Sequence, residues 1–245
     1  MTTLHAAPLQ KNEHAHHREH AARLHASAAG NERINAFCDG VFAIVITLLV
    51  LEIKIPEISP ELAGAQLGPA LLAMMHKFAG HVVSFAVMGI YWVGHHNLMH
   101  HVRRHDRVLL WLTILFLLCV ASMPFPTGLL IRYREQQLAV VVYASALIAA
   151  GLSLDLIWWY ATRRHHLVSP TMEPEFIRYV HRRILTAPLF YLAAIGVSLF
   201  SIIGAELVFA LTAVYYILPS HFDRRHHHAV HQASEEAGVP LEEQL

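Results

Sequence analysis

Residues 33–56 read RINAFCDGVFAIVITLLVLEIKIP, and between Ile34 and Leu51 the only acidic or basic side chain is Asp39. A helix of about 20 apolar residues crosses the hydrocarbon core of a bilayer, so the stretch predicts a first membrane helix. Arg33, Cys38, Asp39 and Gly40 gather at its start, Thr47 stands alone in the middle, and Glu52 and Lys54 mark the far end. Ile44, Leu48 and Leu51, at i, i+4 and i+7, stack along one helical stripe. A carboxylate near the mouth of an apolar helix is costly to bury and ordinarily has a partner or a task.

Arg33-x-x-x-Phe37-Cys38-Asp39-Gly40, running into VFAIVITLLVLEIKIP, resembles the signature of the transmembrane protein 175 family, the potassium channels of lysosomes and many prokaryotes. The family pattern is Arg-x-x-x-Phe-Ser-Asp on the first helix of each six-helix unit. Only the serine departs, replaced by Cys38, and a thiol is a weaker hydrogen-bond donor than a hydroxyl. Tyr91-Trp92-x-x-His95-His96 on the second apolar segment, and Trp111-Leu-Thr with Pro124-Phe125-Pro126-Thr127 around the third, are further echoes; Thr113 stands where the family often has asparagine. No second copy of the motif occurs, so the chain resembles the prokaryotic members with a single six-helix unit.

The resemblance implies four copies of the first helix around a pore axis, with an isoleucine seven residues after the motif phenylalanine forming the narrowest ring. That count lands on Ile44. Leu48 and Leu51 would add two apolar rings, with the Thr47 hydroxyl between them. Aliphatic rings cannot replace an ion's water, so they gate by dewetting or favour the ion that sheds water more easily, which is potassium relative to sodium. Without the motif, the same stripe would be read as facing lipid or neighbouring helices.

Arg33 and Asp39 lie six residues apart and do not share a helical face. Together with Phe37, Cys38 and Gly40 they are read as the anchor that fixes the first helix against others. Asp39 is also favoured by the helix N-terminal dipole, and drawing cations to the inner mouth is its second role. Trp92, His95, His96 and Trp111 are the expected supporting polar contacts.

Composition agrees with a membrane protein: of 245 residues 55 % are hydrophobic and only 15 % charged, and the mean hydropathy is +0.41. A formal net charge of zero gives no basic field for nucleic acid. Cys38 and Cys119 both fall in apolar segments and are read as buried thiols. Hydropathy places six spans at about 34–55, 71–96, 108–131, 138–161, 184–203 and 205–219, within a channel domain of residues 31–220. Residues 1–30 form a polar, histidine- and alanine-rich tail, and 221–245 a second tail. Pro56, Pro60, Gly64 and Gly68 are expected to mark a loop after the first span, Pro124 and Pro126 to bend or end the third, and Gly204-Ala205-Glu206 to turn the chain between the fifth and sixth.

Fourteen of the 18 Lys and Arg residues fall in the N-terminal tail, the loops after the second and fourth spans, and the C-terminal tail. Lys54, Lys77, Arg132 and Arg134 flank the opposite side. Basic residues collect in the cytoplasm, so both termini are expected there, in a multi-pass protein of the cell membrane. The fold class is therefore all-α, with six transmembrane helices per subunit, a homotetramer by resemblance, and a first-helix pore without a TVGYG-type filter.

The 21 histidines raise two other readings. His95-His96-x-x-x-His100-His101-x-x-x-His105 has metal-holding spacing, and His-x-x-x-His-His resembles one histidine box of the membrane di-iron desaturases. The further candidates, His165-His166 and His226-His227-His228-x-x-His231, do not reproduce the usual spacing of the remaining boxes. Asp155, deep in the fourth segment, would serve a proton-coupled carrier or proton leak; its simpler reading is a polar contact between helices. Neither a Walker loop nor a dinucleotide glycine fingerprint occurs. The chain is read as no enzyme, with no metal and no cofactor, potassium being the permeant ion.

Overall fold

The computed structural model describes residues 33–163 and 167–218. The predicted tails, Arg164, His165-His166 and the histidines after residue 219 lie outside the described residues. Helix α1 is Arg33–Glu52, its last four residues, Leu49–Glu52, tightening to a 3-10 turn. After an extended segment and a 3-10 turn at Pro60–Leu62 come α2 (Ala63–Ala73), α3 (Met75–His100), α4 (Arg107–Ala121), α5 (Pro124–Arg132), α6 (Gln137–Thr162), α7 (Pro174–Ser198) and α8 (Ile202–Ile217). No strand occurs among the described residues, only an isolated antiparallel bridge between Val102 and Val168. Arg33–Glu52, Met75–His100, Arg107–Arg132 and Gln137–Thr162 are long and apolar enough to cross a membrane; α8 is apolar but has 16 residues.

Proline chemistry sets one boundary as expected. α4 stops at Ala121 and α5 restarts with Pro124 at its first position, where a missing N–H costs nothing. Other boundaries differ. Gly64 and Gly68 lie inside α2, not in a loop, and so does Pro69. One helical glycine costs only about 1 kcal/mol. The break before the second span falls instead at Met74, whose amide bonds back to Ala70 and Leu71 while its carbonyl accepts from Lys77 and Phe78. Nor does Gly204-Ala205-Glu206 turn the chain. The turn is at 199–201, because the Ser201 hydroxyl caps α8 by accepting from the Gly204 amide at 3.1 Å. α7 begins ten residues before the apolar run, since Arg178, His181, Arg182 and Arg183 ride on its first turns.

The core sits around α6, half of whose most apolar window is buried, against 22 % for α1. Gly151 lets α6 approach two helices at once. A Cβ there would stand 3.0 Å from Cγ of Pro188 on α7 and 3.4 Å from the Tyr91 hydroxyl on α3. Tyr91 donates to the Leu147 carbonyl at 2.6 Å. Trp158, Tyr143, Phe42, Phe116 and Phe209 are the largest fully buried side chains.

Polar ties identify the two ends of the bundle. At one, Asp106 accepts from the Leu109 amide and from the Tyr160 hydroxyl, and the Arg103 amide donates to Leu167, joining the α3–α4 and α6–α7 connections. At the other, Arg134 holds Glu206 of α8 with bonds of 2.7 to 3.1 Å, and Glu52 rests on Gly128 of α5. Between them Asp155 of α6 meets His181 of α7 at 2.7 Å.

Candidate pore helix and its anchor

The sequence of α1 carries two stripes, and the subunit uses only one. Cys38, Phe42, Val45 and Leu49, at intervals of four, three and four, are all at most 3 % exposed and form the face that packs on the subunit core. On the other side Ile44, Leu48 and Leu51 are 60 %, 42 % and 60 % exposed, with Thr47 between them also exposed. The Thr47 hydroxyl donates to the carbonyls of Ala43 and Ile44 at 3.0 and 2.8 Å. Its proton is thereby committed to the helix.

Below this stripe the motif residues diverge. The Trp92 indole of α3 donates to Asp39 Oδ1 at 2.8 Å, giving the carboxylate an interhelical partner. Cys38 Sγ lies 4.0 Å from Nε2 of His95. The His95 ring is buried and stacks on Phe116 of α4, with centroids 5.3 Å apart and planes 13° from parallel, while Phe42 meets Phe116 at 5.9 Å. The anchor is thus built on three helices, with Phe116 as its floor. Nothing in the apolar run ILFLLCV distinguished Phe116 from its neighbours.

The remaining candidates stand apart. Phe37 is 61 % and Trp111 65 % exposed, and Arg33 is exposed without a polar partner among the described residues. A Cβ at Gly40 would meet nothing within 4 Å. Thr113 bonds its own helix at the Leu109 carbonyl, so its hydroxyl does not reach the motif. His96 is exposed beside Trp92, at 5.7 Å between rings.

The histidine run does not converge. His101 packs on Trp158 and Phe176, with Nδ1 2.7 Å from the Asn97 carbonyl. The two ring nitrogens of His105 are buried without a hydrogen-bond partner. In that connection outside the helices, burial pushes the His105 imidazole below its usual pKa, against the opposing pull of Asp106. No three His, Cys, Asp or Glu side chains among the described residues come together as a metal site.

The family described as the endosomal/lysosomal potassium channel TMEM175 matches residues 33–124, which hold α1 and its anchoring partners on α3 and α4. A potassium channel of Streptomyces collinus is 38 % identical over 188 residues, covering 75 % of this chain and 90 % of that protein. This chain belongs to the TMEM175 family. A second TMEM175 relative, a potassium channel of Chamaesiphon minutus, is 33 % identical over 192 residues, covering 77 % of this chain and 94 % of its own. The human endosomal/lysosomal proton channel TMEM175 is 26 % identical over 194 residues, 38 % of its length. Among solved structures, the crystal structure of a lysosomal potassium-selective channel TMEM175 homologue from Chamaesiphon minutus superposes with a TM-score of 0.68 at 31 % identity, covering 77 % of this chain and 97 % of that one. The family is one of ion channels.

Cys38 is the departure whose effect is simplest to measure. Replacing it with serine puts a stronger donor opposite His95, and a shorter bond there is expected to raise stability by about 0.5–1.5 kcal/mol. Thermal unfolding in detergent, comparing Cys38→Ser with wild type, reads that gain; a fall would mean that the cavity fits sulfur and not oxygen.

Proposed function

We propose that the chain is one subunit of a homotetrameric channel that conducts potassium passively across the cell membrane. The observation that carries the reading is the outward-facing stripe of Ile44, Leu48 and Leu51, on a helix held from behind by Cys38, Phe42, Val45 and Leu49. Four such stripes around an axis would make three apolar rings, with Thr47 oxygens between them. An ion crossing such rings must shed or thin its water, which potassium does at lower cost than sodium, and an unwetted ring would close the path. Asp39, held in place by the Trp92 indole at its Oδ1, would add negative charge at the inner mouth.

Six passes per subunit, spread over residues 31–220, complete the proposal. At 1.5 Å per residue α8 spans about 24 Å, short of a full crossing unless the bilayer thins or the helix ends are bridged by polar caps. Its partner α7 enters through Arg178, His181 and Arg182, which suit the headgroup layer on the basic side. Both termini then lie in the cytoplasm.

Proton passage through the same pore is the second reading, favoured by the animal relatives named as proton channels. A carrier working through Asp155 is less well supported, because that carboxyl is engaged with His181 between α6 and α7.

Purified protein in liposomes tests the proposal, with potassium, sodium and proton gradients imposed in turn. Passive flux favouring potassium, together with a tetrameric mass in detergent, is the expected outcome. Flux that saturates and requires a proton gradient would replace the channel with a carrier, and a dimeric or monomeric active species would remove the four-fold pore.

A further inference from the structure

The positive charges that do not lie on the basic side of the protein are not dispersed. Lys54 follows α1, Lys77 is in the first turn of α3, Arg132 ends α5, and Arg134 lies in the α5–α6 turn. All four line one cavity of about 660 Å3. Cations are disfavoured on the outer side of a membrane protein during insertion, so four gathered from separate segments call for a reason.

Their mutual arrangement separates one from the rest. Arg134 is committed to Glu206, whose hydrogen bonds hold its guanidinium above the usual pKa. Lys54, Lys77 and Arg132 make no ion pair among the described residues; Arg132 lies 5.7 Å from the Tyr133 ring centroid. His76 also lines the cavity, and so do the carboxylates of Glu52 and Glu135. Glu52 is pressed against the α5 backbone, where a Cβ on Gly128 would fall 2.0 Å from its Oε2. Three uncommitted cations thus face two carboxylates, one of them seated against a wall, with Ile131 as an apolar side.

We infer that this cavity binds a phosphate-bearing anion, held by Arg132 and Lys77 with Lys54 at the edge. A guanidinium offers a planar fork to two phosphate oxygens, and an ammonium adds a compact charge. The volume lies within the roughly 300–1,000 Å3 of small-molecule sites. The phosphate comes either from a lipid headgroup of the outer leaflet or from a soluble phosphate. The site is independent of the pore assignment, because none of its residues belongs to the Ile44, Leu48 and Leu51 stripe.

The test follows thermal unfolding of the purified full chain in neutral detergent while inorganic phosphate or short-chain phosphatidylglycerol is titrated, with chloride at matched ionic strength as the blank. A saturable upward shift is expected with at least one probe. Its half-saturation should rise roughly tenfold or more in Lys77→Gln/Arg132→Gln and be restored by keeping Arg132 with Lys77→Arg. A shift with phosphatidylglycerol alone assigns a headgroup, and a shift with phosphate assigns a soluble anion; both support the site. No saturable shift with either probe, or equal half-saturation in wild type and the double variant, overturns it. Should the double variant not fold, the single variant Lys77→Gln is read by the same two criteria.

Discussion

Ile44→Asn is expected to bring the potassium-to-sodium permeability ratio down to about one, the behaviour of a wetted opening rather than a dewetted ring. An asparagine amide hydrogen-bonds water and offers oxygen to either cation, so the dehydration step proposed to separate the two ions would disappear. The same geometry predicts little loss of protein. Ile44 is 60 % exposed in the subunit and contributes nothing to its buried core, and exposed substitutions ordinarily change stability by no more than about 0.5 kcal/mol. Val45, one residue on, is 3 % exposed and belongs to the face packed on the subunit core. Val45→Asn should therefore lose folded protein, while Ile44→Asn keeps folded protein and loses selectivity. Paired flux and thermal-unfolding measurements on both variants read this division. Unchanged selectivity in a folded Ile44→Asn protein would remove Ile44 from the constriction.

Legibility in the sequence followed the strength of local chemistry. The first helix could be read because its apolar run is long and its single carboxylate sits at one end, and α6 because Gln137–Thr162 is apolar between polar flanks. Pro124 announced the α4–α5 break, since a proline cannot supply the interior N–H. Met74 carried no such signal, and the chain placed its glycines and Pro69 inside α2 instead. The turn before α8 depended on a single serine hydroxyl at Ser201. Hydropathy cut α7 short because its first turns are basic and amphipathic.

On α1 the sequence indicated which residues share a stripe, but both stripes are apolar, and periodicity does not say which one the subunit covers. Cys38, Phe42, Val45 and Leu49 against Ile44, Leu48 and Leu51 is a distinction made by tertiary packing alone. Contacts between distant positions were equally silent. The Trp92–Asp39 bond spans 53 residues and the Arg134–Glu206 pair spans 72, and Glu52 seated on Gly128 has no local pattern at either position.

Phe116→Ala is expected to cost about 3–5 kcal/mol, the usual range for deleting a buried ring, and to lower the thermal midpoint by roughly 10 °C. The ring is fully buried, and it touches Phe42 of α1 at 5.9 Å, Tyr91 of α3 at 6.3 Å and His95 of α3 at 5.3 Å. Removing it opens a cavity where three helices meet, frees the His95 imidazole from its stack, and takes away the support behind Cys38. Permeation should suffer as well, since Phe42 is the next buried position after Cys38 on the packed face of α1. Phe116→Leu, which keeps most of the volume, should fall between wild type and alanine in both readouts. Phe125 is the control: it lies nine residues on in the same apolar span and is 72 % exposed, so Phe125→Ala should leave the midpoint near the wild-type value. Lipid is as apolar as a protein core, which is why hydropathy ranks the two phenylalanines alike. What separates them is rigid packing against neighbours, and a void beside Phe42, Tyr91 and His95 cannot be filled by a lipid tail. An unchanged midpoint in Phe116→Ala would mean that α1 is anchored by the polar ties of Asp39 and Cys38 without help from the ring.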